Sequence, residues 1–179
     1  LSFAVSDGTE TVESSASLDV IATQEEGRTL IGTNSSDTLT GGAGDDVIDG
    51  GRGNDNLSGG AGDDTFKVVG NAGLDQMDGG EGHDTIQGSR YNDTIQVDDN
   101  LDNIQNVEVI DGGDGYDTLQ AGSGDDTIDL SNGPALNSIE EIDGGYGDDT
   151  IIGTSGNDTI EGNRGNDDLS GGAGDDTFK

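Results

Sequence analysis

One period governs this chain: nine residues, with aspartate at the sixth place and a large apolar residue at the eighth. From Gly32 the register runs through GTNSSDTLT, GGAGDDVID, GGRGNDNLS and GGAGDDTFK, slips at Val68 and Val69, and resumes at Gly70 as GNAGLDQMD, GGEGHDTIQ and GSRYNDTIQ. It returns at Gly112 (GGDGYDTLQ) and Ala121 (AGSGDDTID), then from Gly144 as GGYGDDTII, GTSGNDTIE, GNRGNDDLS and GGAGDDTFK. A fixed period constrains the fold more than any local propensity, because each unit buries its apolar face only by stacking on another.

Position six is Asp37, Asp46, Asp55, Asp64, Asp75, Asp84, Asp93, Asp117, Asp126, Asp149, Asp158, Asp167 and Asp176. Position eight is Leu39, Ile48, Leu57, Phe66, Met77, Ile86, Ile95, Leu119, Ile128, Ile151, Ile160, Leu169 and Phe178. One apolar anchor in nine fits no helical period. The last three places of each unit read as a short strand, the six before it as a turn.

Glycine at the first, second and fourth places lets the backbone take conformations closed to residues with a Cβ, and turns carbonyl oxygens inward. The residues in those turns include Gly42, Gly44, Gly51, Gly53, Gly60, Gly62, Gly80, Gly82, Gly113, Gly115, Gly122, Gly124, Gly145, Gly147, Gly156, Gly165, Gly172 and Gly174. Carbonyls together with the position-six carboxylate are the hard oxygen ligands that calcium takes six to eight at a time. One turn supplies too few. A turn stacked on that of the next coil supplies enough, so two units should make one coil, with strands alternating between two sheets and turns n and n+2 sharing an ion. The expected fold is all-β: a right-handed parallel β-roll, a β-solenoid with adjacent strands about 4.8 Å apart.

Charge sharpens the expectation. The 39 acidic residues against 6 Lys and Arg leave a net charge of -33. Low hydrophobicity with such a charge permits disorder unless something neutralises it. The field repels nucleic acid and anionic membranes and attracts cations. There are no cysteines, which excludes disulfides, thiolate metal sites and cysteine chemistry. No apolar run is long enough for a membrane-spanning helix. Leu1 to Val5 do not read as a signal peptide, and the chain reads as a segment of something longer.

The pattern of glycines, Asp and apolar anchors resembles the RTX (repeats-in-toxin) family, the known class of calcium-binding nonapeptide rolls. The resemblance covers residues 32–96, 112–129 and 144–179. It implies an extracellular or bacterial cell-surface protein exported by type I secretion, which stays unfolded at low cytosolic calcium and folds outside the cell. Roughly six to nine calcium ions are expected from the stacked turns. Departures fall at Thr33, Asn71, Ser89, Thr154 and Asn163 in the second place, at Ser35 and Tyr91 in the fourth, at Leu74 and Tyr116 in the fifth, and at Ala121 in the first. Tyr91 is the bulkiest, and sites beside it are expected to be altered.

Two segments, 97–111 and 130–143, break the register and resemble each other: LDNIQNVEVIDGG against ALNSIEEIDGG. They are expected to form a longer strand that widens the coil, with Pro134 in a polar bulge and no calcium of their own. The roll proper is expected over 31–179. Residues 1–30 are expected to form a β-hairpin, either as a cap or as the end of a preceding domain. Phe3, Val5, Val12, Leu18 and Val20 alternate around a Ser6-Asp7-Gly8-Thr9 turn, and the segment resembles the last strands of cadherin-like or immunoglobulin-like adhesin repeats.

Catalytic signatures do not emerge. There is no HExxH, no GxSxG and no Walker loop. His83 reads as a solvent-facing turn residue, and Arg28, Arg52, Arg90 and Arg164 as surface ion-pair partners. The chain is therefore expected to be a non-catalytic, monomeric calcium module of a large adhesin or surface-layer-type protein, with neighbouring modules or a surface glycan as further partners. The alternative is a calcium-stabilised, carbohydrate-binding accessory module of a secreted polysaccharide-modifying enzyme or protease; the roll resembles in size those that alginate epimerases carry.

Overall fold

A computed structural model describes residues 9–11, 19–20 and 26–179. Among them the strands are short, mostly three-residue runs centred on an apolar residue, and the named pairs are all parallel. β-branched residues suit a pleated surface. The middle residue of each triplet points inward and its neighbours are half-exposed, as in the Thr65–Lys67 and Thr85–Gln87 strands.

Four sheets build the stack. The first contains Thr29–Ile31, Val47–Asp49, Thr65–Lys67, Thr85–Gln87, Val109–Asp111 and Ala135–Asn137. The second contains Thr38–Gly42, Asn56–Ala61, Gln76–Glu81 and Ile104–Gln105. In this half the chain alternates between these two sheets, and Leu30 pairs with Ile48, which pairs with Phe66. Two nine-residue units thus make one coil, as the period requires. The third sheet contains Thr94–Gln96, Thr118–Gln120, Glu141–Asp143, Thr159–Glu161 and Thr177–Phe178; the fourth contains Thr127–Asp129, Thr150–Ile152 and Asp168–Ser170. The last coils alternate between these two. The fold is a parallel β-solenoid throughout.

The interruptions are where one pair of faces hands over to the other, and here the sequence expectation needs correction. Neither segment forms a longer strand. After Thr85–Gln87 the chain visits the third sheet at Thr94–Gln96, the second at Ile104–Gln105 and the first again at Val109–Asp111. The coil is wider because it has gained a third side. A 3-10 turn at Asp99–Leu101 makes the extra corner, with Asn100 (φ 61) and Leu101 (φ 54) in the left-handed region. Buried Asn103 secures it. Asp98 N–H donates to Asn103 Oδ1 (3.0 Å), Asn103 N–H donates to Asp98 Oδ1 (2.7 Å), and the Asn103 amide donates to the carbonyls of Asp75 (2.8 Å) and Gln96 (3.1 Å). The next coil is three-sided in the same way, over Thr118–Gln120, Thr127–Asp129 and Ala135–Asn137. Val97, Leu101, Ile104, Val107 and Leu130 fill the added width.

The core is one stack of anchors contributed by the facing sheets. Ile48, Phe66, Ile86, Ile110, Leu119, Ile128, Ile151 and Ile160 are fully buried, each contributing about 1.5–3 kcal/mol by burial. Leu169 is only partly buried and Phe178 is exposed, since no further coil among the described residues covers them. At the other end Thr9–Thr11 pairs in parallel with Thr29–Ile31, and Asp19–Val20 with Thr38 and Leu39, so both segments extend the sheets of the roll. Phe3, Val5, Val12, Leu18 and most of the expected hairpin lie outside the described residues. No helix among the described residues is long and apolar enough to cross a membrane.

Candidate metal centre

Each corner of the roll stacks turn upon turn, and the position-six aspartates form a column at its heart. Asp37, Asp46, Asp55, Asp64, Asp75, Asp84, Asp93, Asp117 and Asp149 are buried. Their carboxylates form a ladder between coils. Oδ1 of Asp64 accepts the N–H of Asp46 (2.7 Å), and Oδ1 of Asp84 accepts that of Asp64 (2.7 Å). The same bond joins Asp37 to Asp55, Asp55 to Asp75, Asp93 to Asp117, Asp126 to Asp149, Asp149 to Asp167 and Asp158 to Asp176. Asp126, Asp158, Asp167 and Asp176, nearer the last coils, are only half-buried.

The second oxygen distinguishes the turns. Oδ2 of Asp46, Asp55, Asp64, Asp84, Asp117 and Asp149 is buried without a hydrogen-bond partner. A buried anionic oxygen left unpaired is costly, and a cation is the usual remedy. At Asp37 and Asp158 the second place is threonine, and this oxygen is occupied: Thr33 donates its N–H (2.6 Å) and hydroxyl (2.8 Å) to Asp37 Oδ2, and Thr154 does the same to Asp158 Oδ2 (2.7 and 3.1 Å). At Asp93, Ser89 donates its N–H to Oδ2 and its hydroxyl to Oδ1.

Carbonyl oxygens converge on the same columns. A Cβ on Gly60 would lie 2.2 Å from the Gly42 carbonyl oxygen, and one on Gly80 2.1 Å from that of Gly60. The turns are stacked too closely for side chains, and both glycines have positive φ (115 and 101). Asn163 holds the equivalent second place at φ 61, which asparagine tolerates. Tyr91, in the fourth place, is not among the residues at positive φ, whereas Gly115 in the turn stacked on it is at 144. The Tyr91 ring stays exposed, and the ladder from Asp93 to Asp117 continues beneath it.

A second, outer ladder was not read from the sequence. Oδ1 of Asp45 accepts the N–H of Asp63, Oδ1 of Asp63 that of His83, Oδ1 of Asp125 that of Asp148, and Oδ1 of Asp148 that of Asn166. It runs in the opposite sense to the inner one and explains why Asp and Asn recur at the fifth place. The recurrence itself was the available signal.

Electrostatics agree with the geometry. Burial pushes Asp64 and Asp75 up to about 6, with stacked neighbours such as Asp46, Asp84 and Asp55 adding to the rise. Burial likewise raises Asp46, Asp55, Asp84, Asp117 and Asp149. These carboxylates resist ionisation unless positive charge is supplied. Among the described residues no group of three or more His, Cys, Asp and Glu side chains converges. An ion held here therefore draws mainly on backbone carbonyls, which suits a hard cation such as calcium.

The family model described as the RTX calcium-binding nonapeptide repeat (4 copies) matches residues 31–66, 67–86, 78–104, 106–134 and 143–178. The chain belongs to the RTX family. It is a calcium-binding structural repeat module, and its interruptions fall inside or between matched blocks rather than forming a separate fold. No curated protein matches the chain.

Proposed function

We propose that this RTX roll is a calcium-gated folding module: a non-catalytic part of a large secreted adhesin or surface-layer-type protein, unfolded inside the cell and folded outside it. The unpartnered, buried Oδ2 atoms of the stacked aspartates carry the reading. Folding without calcium buries these carboxylates against one another; folding with calcium neutralises them. Binding free energy becomes folding free energy, and nearest-neighbour stacking makes the transition cooperative.

The position-six carboxylates and the turn carbonyls hold the ions. Asp46 and Asp64 head the strongest sites, since each has a free oxygen and a full glycine turn stacked on it; Asp55 and Asp149 have a free oxygen under turns that carry Asn71 and Asn163 in the second place. Asp93 and Asp158, whose carboxylates already accept from Ser89 and Thr154, head weaker ones; at Asp37 Thr33 takes Oδ2 but Oδ1 is buried without a partner. Calcium added to chelated protein should produce a cooperative rise in β-sheet circular dichroism. Magnesium should not, because it demands a tighter octahedral shell. An equal response to both ions contradicts the reading.

A second reading, a carbohydrate-binding accessory module of a secreted enzyme, draws support from three exposed aromatic–cation pairs. Arg90 lies over Tyr91 (5.0 Å), Arg164 over Tyr146 (5.5 Å) and Lys179 over Tyr116 (5.9 Å). A glycan array read with and without calcium separates the two: calcium-dependent glycan binding favours the accessory module, and none favours the structural one.

A further inference from the structure

Two columns of turns pass through a turn that is not a nonapeptide. The turn stacked on that of Asp84 is Asn106-Val107-Glu108, and the turn stacked on that of Asp117 is Ser138-Ile139-Glu140. Each leads directly into a strand, Val109–Asp111 and Glu141–Asp143, so the glutamate stands in the register of position six. Three residues do the work of six. The reversal is made by Asn106 (φ 52) and Ser138 (φ 50), two of the few non-glycine residues at positive φ.

The shortened turns keep the chemistry of the inner ladder. Glu108 Oε2 accepts the N–H of Asp84 (2.7 Å), and Glu140 Oε2 accepts that of Asp117 (2.7 Å). The longer side chain reaches where an aspartate on a six-residue turn would. The carbonyl placement is also conserved. A Cβ on Gly79 would lie 2.1 Å from the Asn106 carbonyl oxygen and 2.4 Å from Asp84 Oδ2; one on Gly112 would lie 2.1 Å from the Ser138 carbonyl oxygen and 2.6 Å from Asp117 Oδ2. In the regular turn at Gly41 the corresponding oxygens are Gly59 O (2.3 Å) and Asp46 Oδ2 (2.1 Å). Asp84 and Asp117 are both fully buried, and their Oδ2 atoms have no hydrogen-bond partner. Two carboxylates, one of them buried and unpaired, therefore face each other across each junction beside a convergent carbonyl.

We propose that Asp84 with Glu108, and Asp117 with Glu140, form two further calcium sites that the nine-residue pattern does not encode. They stand where a shortened turn interrupts the column of regular turns. Each lacks the carbonyls that the second to fifth places of a full turn supply, so water completes the shell and affinity is lower than in the regular sites. This assignment reverses the expectation that the interruptions carry no calcium. It rests on the reading of the regular turns as calcium sites.

The test is a calcium titration of the chain by isothermal calorimetry, with ion counts by native mass spectrometry. The samples are wild type, Glu108→Gln, Glu140→Gln and the double variant. Glutamine keeps an oxygen to accept the N–H and removes the charge, and a matching circular dichroism spectrum in calcium reports that the fold is kept. Each single variant should lose one weakly bound ion and the double variant two, with the tight ions unaffected. An unchanged count and unchanged affinities in both single variants and the double variant overturn this inference alone, leaving the glutamates as hydrogen-bond acceptors. A wild-type chain that binds no calcium overturns the reading of the regular turns and this inference with it.

Discussion

Asp64→Asn isolates the charge of one ladder rung from its shape. Asp64 is buried, accepts the Asp46 N–H through Oδ1 and leaves Oδ2 unpaired. Asparagine retains an oxygen for the Asp46 N–H, so the variant removes an anionic ligand without stranding a donor. A site saturated at about a hundred times its dissociation constant contributes ~2.7 kcal/mol to folding. For a chain of this size each kcal/mol moves Tm by roughly 2–4 °C, so loss of the site should lower Tm in saturating calcium by about 5–11 °C. The effect should shrink as the pH falls towards 4, where burial has already favoured the protonated, neutral form of Asp64 in the folded state. Differential scanning calorimetry at fixed free calcium, at neutral and acidic pH, reads both limbs. An unchanged Tm at neutral pH in saturating calcium would refute the assignment of Asp64 as a ligand.

Three further outcomes follow from the same architecture. Ile86→Ala removes a fully buried anchor between Phe66 and Ile110 and should cost about 2–5 kcal/mol, read by denaturant unfolding in calcium. Gly80→Ala places a Cβ 2.1 Å from the Gly60 carbonyl at φ 101, and should lower both Tm and calcium affinity, whereas alanine at Gly70, which has open space but φ 68, should cost only the conformational strain of about 1–2 kcal/mol. Calcium affinity should fall as pH drops through about 6. Asp64 and Asp75 titrate there in the folded roll, against 3.8 for an ordinary aspartate, so protons compete with the ion. The sign reverses without calcium: the raised values stabilise a metal-free roll below about pH 4, and that contribution is lost as pH rises through 6. Calorimetric titrations across pH 5–7.5 and acid circular dichroism in chelator check the two halves.

The repeat made much of this structure legible. A fixed Asp and a fixed apolar place locate every regular turn and half of the buried apolar residues, because in a stack each unit meets only its neighbours. The parallel pairing of alternate units followed from the count of oxygens that one ion needs. The handover between pairs of faces was not legible. Segments 97–111 and 130–143 read as alternating strands, yet a left-handed corner at Asn100 and Leu101 and the reach of the Asn103 amide to Asp75 and Gln96 break the first into short sides. Those contacts join residues far apart in sequence, and no local pattern announces them. Glu108 and Glu140 escaped for a related reason: a three-residue turn carries no glycine signature, and only its stacking on Asp84 and Asp117 shows that it stands in the position-six register. Arg90 and Arg164, read as surface ion pairs, lie instead over tyrosine rings.

The central claim is that calcium, not the sparse core alone, makes this chain fold. Small-angle X-ray scattering with circular dichroism, at neutral pH in chelator and then in millimolar calcium, tests it most directly. In chelator the chain should be expanded, with a radius of gyration approaching the ~45 Å of an unfolded chain of this length, and should lack a β-sheet signal. In calcium it should contract to a rod with a strong β-sheet signal. The same compact dimensions and the same spectrum in chelator and in calcium would contradict the account.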